Sequence, residues 1–223
     1  MTFAETGESH GEISLKGLLA GEVPQITESS IDFETTVRRI VTGGWPGWVE
    51  AAESTARSRL LGYIEDISDH DFVQVAGTRR DPRRFTAYLR AIAALVAQPA
   101  AYAPISRRID EATTTSVTPS TVPLLHELAE RLFLVEDQPA WAPKLRSRTT
   151  VLQTPKRHLA DPSLAAALLG AGADRLLLEP ETLGRLFEAQ VVHDLRVYAQ
   201  AANARGVFHY RDSKGRDEID AVV

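Results

Sequence analysis

The stretches LGRLFEAQVVHDLRVY (residues 183–198) and GVFHYRDSKGRDEIDAVV (residues 206–223) decide how the C-terminal part of this chain folds. The second stretch holds two short runs rich in β-branched and aromatic residues, separated by the turn residues 212–215, and this predicts a β-hairpin. In the first stretch, apolar residues recur at helical spacing and predict an amphipathic helix with a core-facing stripe: Leu183, Phe187, Val191, Leu195 and Tyr198.

Acidic residues on this helix and hairpin form a pattern typical of nuclease metal sites. Glu188 lies beside the apolar stripe, and Glu218 and Asp220 are two residues apart on the second strand. Because strand side chains alternate between faces, Glu218 and Asp220 share a face. Converging carboxylates repel each other, and a hard divalent cation such as Mg²⁺ or Mn²⁺ would offset that repulsion. The alternative is that these acids are ordinary solvated residues.

Motifs along residues 43–223 resemble those of a family of bacterial ATPases. In that family, an AAA-type ATP-binding module precedes a region called domain of unknown function 4143, which has a winged-helix-like part and a restriction-endonuclease-like part. The motifs that carry the resemblance occur in the same order here: GGWP at 43–46, YIEDI at 63–67, LLHELAERLFLV at 124–135, ADPSLA at 160–165, GRLFEAQV at 184–191, YRD at 210–212 and GRDEID at 215–220.

This resemblance implies roles for the acidic residues. Glu188 and Asp220 would be catalytic metal ligands and Glu218 a further ligand, with weak binding of Mg²⁺ or Mn²⁺ in this chain. The lysine that completes such a site is expected beyond Val223. No G-x-x-x-x-G-K-[ST] motif occurs in the sequence, so no ATP site is expected. The chain is therefore expected to be a fragment, lacking the ATPase core and the end of the nuclease-like domain, and inactive alone.

The predicted fold class is α+β, mainly α, in three parts. Residues 1–80 are expected to be a helical region that follows the missing ATPase core. Residues 81–182 are expected to be winged-helix-like, with helices at residues 82–98, 105–112 and 120–133 and extended segments around Leu134 and Val151. Residues 183–223 would be the truncated restriction-endonuclease-like part.

Two basic stretches are candidate DNA-binding sites, and their residues are Arg79, Arg80, Arg83 and Arg84 in the first and Lys156 and Arg157 in the second. In the first stretch, the alternative is that the arginines are solvated first-turn residues of a helix that Asp81 caps and Pro82 begins. The net charge of −5 disfavours general attraction to nucleic acid. The alternative that the winged-helix-like part has a structural or protein-binding role therefore stays open.

Composition excludes several other classes of protein. The sequence has no cysteine, which excludes disulfides and thiolate metal sites. Its six histidines are dispersed without zinc-motif spacing. No apolar run reaches membrane-spanning length, and we expect a cytoplasmic protein without a membrane partner.

These features predict an accessory, DNA-related region of a bacterial AAA-type ATPase, with DNA and the ATPase core as partners. The alternative is a non-enzymatic module for protein interaction or homo-oligomerisation, in which the nuclease-like fold is a scaffold.

Overall fold

The computed structural model describes residues 1–9, 11–25, 28, 31–76, 81–112, 117–142, 153–212 and 216–223. These residues form a mixed α+β structure that is mainly helical, as predicted. Among them, no helix combines the length and the apolar composition that crossing a membrane requires.

Helices make up the N-terminal part. They are α1 (Leu15–Leu19), α2 (Phe33–Thr42), α3 (Glu53–Asp66), a π-helix (Ile67–Asp71) and α4 (Phe72–Ala76). Helix α2 begins where the Asp32 side chain accepts a hydrogen bond from the Thr35 amide, and it ends at Gly43, whose φ of 74° favours glycine. In the helical region predicted for residues 1–80, one turn of π-helix separates α3 from α4.

The middle part has the element order predicted for a winged helix. Helix α5 (Pro82–Ala94) is followed by β1 (Gln98–Pro99), α6 (Tyr102–Ala112), α7 (Val122–Arg131), β2 (Val135–Gln138) and β3 (Lys156–Leu159). The three strands form an antiparallel sheet in the order β1-β3-β2. Helix α5 ends before the predicted Gln98, because Gln98 and Pro99 pair with Arg157 and Lys156. The extended segment predicted around Val151 begins outside the described residues.

The C-terminal helix and hairpin have the predicted order. Helices α8 (Pro162–Leu169) and α9 (Ala173–Leu177) lead into α10 (Pro180–Ala201), and β4 (Phe208–Arg211) pairs antiparallel with β5 (Glu218–Val222). The predicted buried stripe of α10 is partly wrong, since Phe187 and Val191 are 49% and 38% exposed. Helix α10 instead packs on α2, α8 and α9 through a neighbouring face that contains Leu186 and Ala189.

One hydrophobic core runs from Val37 in α2 to Ala189 in α10. It crosses both predicted domain boundaries, after residue 80 and after residue 182, and α8 contacts α2, α3, α5 and α10. A smaller hydrophobic cluster joins Val192 and Ala199, in the second half of α10, to Val207. Buried residues of all three predicted parts thus pack together in one core. The division into three domains stays a prediction.

Candidate functional site

Strand β3 directs two neighbouring cations to opposite sides of the small sheet. Consecutive side chains on a strand point to opposite faces, so Lys156 and Arg157 meet different partners. Both are buried, with 2% and 3% of their surface exposed. Both charged ends are engaged in ion pairs inside the protein, and DNA contact by these two residues stays a prediction.

The ammonium of Lys156 lies at the meeting point of the three predicted acidic residues. Its Nζ donates hydrogen bonds to Glu188 Oε1 and Asp220 Oδ1, both at 2.7 Å, and lies 3.1 Å from Glu218 Oε1. The Glu188 side chain is 20% exposed, while those of Glu218 and Asp220 are 40% and 61% exposed. One buried cation therefore pairs with three carboxylates and leaves the group with a formal charge of −2. This group, which we call the Lys156 cluster, faces solvent on the β5 side.

Contacts around the Lys156 cluster fix the hairpin and α10 against the sheet. Gln138 on β2 donates from Nε2 to the backbone oxygen of Asp220 at 2.7 Å. The backbone of His209 on β4 continues the attachment, accepting a bond from Trp141 and donating one to Pro139. Arg196 on α10 donates to the Glu136 carboxylate at 2.7 Å. The acids thus reach Lys156 because two elements far along the chain dock on β2 and β3.

The electrostatics of the cluster depend on competition between burial and pairing. Burial alone would lower the pKa of Lys156, but its hydrogen bonds to Asp220 and Glu188 outweigh burial and raise that pKa. Burial raises the pKa of Glu188, and the ion pair with Lys156 only partly opposes it. The ammonium is therefore held charged, and Glu188 is the acid that depends most on its partner.

His158, on the same face of β3 as Lys156, is kept neutral. Burial, reinforced by the positive charges of Arg196 and Lys156, lowers the pKa of His158 from 6.5 to about 3. Its Nε2 donates to Gln138 Oε1 at 3.2 Å, and its Nδ1 has no partner among the described residues. The same Gln138 that holds Asp220 also fixes the His158 tautomer.

Arg157 forms a second buried polar cluster on the other face of β3. Its Nε donates to the Ala100 carbonyl at 3.0 Å, its Nη1 pairs with Asp137, and its guanidinium lies 5.1 Å from the centre of the Tyr102 ring. His126 joins this cluster, with Nε2 at 3.1 Å from Asp137 and Nδ1 at 2.6 Å from the Tyr88 hydroxyl. Burial would raise the pKa of Asp137, but hydrogen bonds from His126 and Arg157 lower it.

A set of three metal-ligating side chains belongs to this second cluster. Among the described residues, one group of three such atoms lies within 4.8 Å of one another, and it comprises His126, Glu130 and Asp137. Arg157 Nη1 lies 3.2 Å from His126 Nε2 and pairs with Asp137. A fixed guanidinium thus supplies the positive charge there, and the arrangement suits an internal ion pair better than a metal.

The first basic stretch falls only partly within the described residues. Arg79 and Arg80 lie outside them. Arg83 is exposed, and Arg84 is half-buried with its Nε lacking a partner among the described residues. The Asp81 side chain accepts a hydrogen bond from the Arg83 amide at 3.0 Å. The helix cap that the sequence predicts at Asp81 is therefore present.

The G-x-S-x-G spacing of serine hydrolases also occurs, at residues 7–11. A nucleophile elbow requires a strand that turns sharply into a helix. Here residues 3–8 form turns and a bend, and Ser9 Oγ accepts a bond from the Gly11 amide at 3.4 Å. The described surroundings of Ser9 therefore lack the setting of a hydrolase nucleophile.

Sequence reasoning identified the three acids of the Lys156 cluster and missed their lysine partner. A lysine was expected on a strand beyond Val223, whereas the structure brings Lys156 to the acids from β3. No spacing in the sequence links residue 156 to residues 188 and 220. The contact becomes visible only when α10 and the hairpin are seen to dock on the sheet.

Comparison with known proteins gives one family match. A family model described as Domain of unknown function (DUF8612) matches residues 34–175, which is more than half of the chain. The match includes Lys156 and the whole Arg157 cluster and ends before Glu188. No curated protein matches the chain. No solved structure matches it.

Proposed function

We propose that this chain, which belongs to the family Domain of unknown function (DUF8612), is an accessory, DNA-related region of a bacterial AAA-type ATPase and has no hydrolytic activity of its own. The observation that carries the proposal is the position of Lys156. Its ammonium lies 2.7 Å from both Glu188 and Asp220, the two acids that a nuclease-like site would use for a metal.

As arranged, this donor set does not fit Mg²⁺ or Mn²⁺. Mg²⁺ requires oxygen ligands at about 2.0 to 2.1 Å in near-octahedral geometry and keeps several waters. The Lys156 ammonium already occupies the space between Glu188 and Asp220, and a divalent ion bound by the same oxygens would lie next to a fixed positive charge. The Lys156 ammonium therefore lies between the acids rather than beside a metal bound to them, and no hydrolytic step is derived from them.

The Lys156 cluster then has a mechanical role. It joins β3 to α10 through Glu188 and to the hairpin through Asp220 and Glu218, so it fixes two late elements on the winged-helix-like part. Ion pairs of this kind specify one arrangement of packed elements, because removing a partner leaves a buried charge uncompensated. A nuclease-like scaffold held in this way would transmit position rather than perform chemistry.

ATP would be bound by a separate AAA-type module, as the resemblance to the ATPase family implies. The sequence has no phosphate-binding loop with its lysine and Mg²⁺-binding hydroxyl.

The DNA-related part of the proposal depends on the start of α5. Arg83 is exposed there, and Arg79 and Arg80 precede the capping residue Asp81 in the sequence. These arginines would contact phosphates without reading sequence. Lys156 and Arg157 take no part, since both are buried.

Plasmid nicking and ATP hydrolysis test the catalytic half of the proposal. The purified chain, incubated with supercoiled plasmid in Mg²⁺ or Mn²⁺ and separately with ATP, is expected to produce neither nicked DNA nor phosphate. Asp220→Ala is the matched control, because the Asp220 side chain is exposed on β5. A contaminating nuclease would nick the plasmid equally in both samples. Nicking by the wild type that Asp220→Ala abolishes would refute the proposal.

A second candidate function is a non-enzymatic interaction or oligomerisation module. It is favoured by Phe187 and Val191, four residues apart on α10 and therefore on one face, which are 49% and 38% exposed. Exposed apolar side chains that are contiguous often mark a protein-binding surface. Sedimentation velocity over a range of concentrations tests it, with Phe187→Ser expected to abolish any self-association and Phe33→Ser, an exposed phenylalanine on α2, as the control.

A further inference from the structure

A cavity of about 690 Å³ lies between α3, the π-helix, α5 and the C-terminal end of α8. Its volume falls in the range of small-molecule sites, roughly 300 to 1,000 Å³. None of these four elements contributes a residue to the Lys156 cluster, so the cavity is a separate feature of the molecule.

Arginines give one wall of the cavity an affinity for anions. Arg83 and Arg90 lie seven residues apart on α5, which places both on the same face of that helix, and Thr86 lies between them. Both arginines are exposed, and neither side chain has a hydrogen bond or ion pair with another described residue. Arg57, on the opposite helix α3, donates to the Gly170 carbonyl at 3.2 Å and adds a third guanidinium to the lining.

A buried hydroxyl in the same cavity lacks a partner. Ser68 lies in the π-helix, is 1% exposed and lines the cavity, and its Oγ has no hydrogen-bond partner among the described residues. Buried hydroxyls are usually satisfied, since an unmade hydrogen bond away from water is costly. Single turns of π-helix occur frequently at functional sites. The Ser68 hydroxyl is covered in the free protein, so a ligand in the cavity would reach it after a small movement of the lining side chains.

The rest of the lining limits the size and charge of such a ligand. Leu61, Ile64 and the end of α8 supply an apolar surface. Glu65 and Asp69 also line the cavity, so its formal charge is +1 from three arginines and two acids. Those acids would repel a polyanion that entered the cavity, whereas a compact ligand with a single anionic group can contact the arginines alone.

We infer that this cavity binds a small organic phosphate, with the phosphate held by Arg83 and Arg90, the Ser68 hydroxyl as a further donor, and the apolar body of the ligand against Leu61 and Ile64. Guanidinium groups suit phosphate because their planar donors match its oxygens. This inference is independent of the Lys156 cluster, and it shares only Arg83 with the proposed DNA contact.

Calorimetry with phenyl phosphate as the probe tests the inference. The wild type should bind phenyl phosphate saturably. It should bind inorganic phosphate, which lacks the aromatic ring, and phenol, which lacks the phosphate group, more weakly. Arg90→Gln should weaken binding by roughly tenfold to a hundredfold, as expected for a lost charge-assisted hydrogen bond. Ser68→Ala should weaken it by roughly threefold to tenfold. Arg131→Gln, at an exposed arginine of α7 outside the cavity, is the matched control and should bind like the wild type.

The thermal midpoint of Ser68→Ala gives a second readout. If the hydroxyl lacks a partner in the free protein, its removal should leave the midpoint unchanged or raise it. Absence of saturable binding of phenyl phosphate, or equal weakening in Arg90→Gln and Arg131→Gln, would overturn the inference. Binding of an oligonucleotide but not of phenyl phosphate, with the same dependence on Arg90, would show that the ligand class is wrong.

Discussion

Replacement of Lys156 by methionine should destabilise the chain strongly. Methionine keeps most of the apolar stem but removes the ammonium that pairs with Glu188, Glu218 and Asp220. Three carboxylates then converge without a cation, and Glu188 is left 20% exposed and unpaired in this cluster. The variant should fold less stably than the wild type at pH 7, because ionised acids must be desolvated without compensation.

The magnitude follows from the exposure of each partner. Removing one partner of a buried ion pair costs about 3 to 5 kcal/mol. Glu188 comes close to that case. Glu218 and Asp220 are 40% and 61% exposed, so their pairs are screened and contribute less than about 1 kcal/mol each. We therefore expect Lys156→Met to lower the free energy of unfolding by about 3 kcal/mol.

Urea unfolding at pH 7, followed by circular dichroism, measures this change. Lys16→Met is the matched control, because Lys16 is exposed on α1, and it should alter stability by less than about 0.5 kcal/mol. Adding Glu188→Gln to Lys156→Met should restore part of the loss, since the orphaned acid is neutralised. A Lys156→Met variant within about 1 kcal/mol of the wild type, or strict additivity of the two changes, would refute the reasoning.

Three further predictions concern DNA, acid and the second cluster. If the chain binds DNA, alanine at Arg79, Arg80, Arg83 and Arg84 should weaken fluorescence-anisotropy binding to a duplex and flatten its salt dependence by about 0.9 per lost phosphate contact; an unchanged slope would leave these arginines as solvated helix residues. Because the pKa of His158 is lowered from 6.5 to about 3, its contribution to stability is present above pH 6.5 and is lost as the pH falls through about 3. His158→Gln should therefore flatten the decline of urea stability between pH 6.5 and 3, by at most roughly 5 kcal/mol, and a decline as steep as in the wild type would contradict this. Asp137→Asn should destabilise the chain by about 2 to 3 kcal/mol at pH 7, because Arg157 stays buried with a weaker partner, and thermal unfolding that matches the wild type would show that the pair contributes little.

Much of the local structure was predictable because it depends on local chemistry. Asp81 before Pro82 predicts where α5 begins, and the turn residues 212–215 predict the hairpin. The order of elements in the middle part also follows from such signals. The two-residue strand β1 was missed, because pairing of Gln98 and Pro99 with β3 depends on partners some sixty residues later.

Two features of the site lay beyond pattern reasoning for a physical reason. Charged residues are usually solvated, so Lys156 and Arg157 were assigned to a surface, whereas distant acids pair with them and make their burial tolerable. Similarly, the face of α10 that becomes buried is set by α2 and α8, and apolar spacing alone placed Phe187 and Val191 inside. Tertiary docking decides both outcomes.

Paramagnetic titration tests the central claim most directly, namely that Glu188 and Asp220 pair with Lys156 rather than with a metal ion. Mn²⁺ would be added in small amounts to ¹⁵N-labelled wild type and to Lys156→Met while amide signals are recorded by NMR. The wild type is predicted to show no selective broadening at residues 188 and 218–220, while Lys156→Met, whose acids lack their cation, should show it. Selective broadening of those signals in the wild type at substoichiometric Mn²⁺ would contradict the claim.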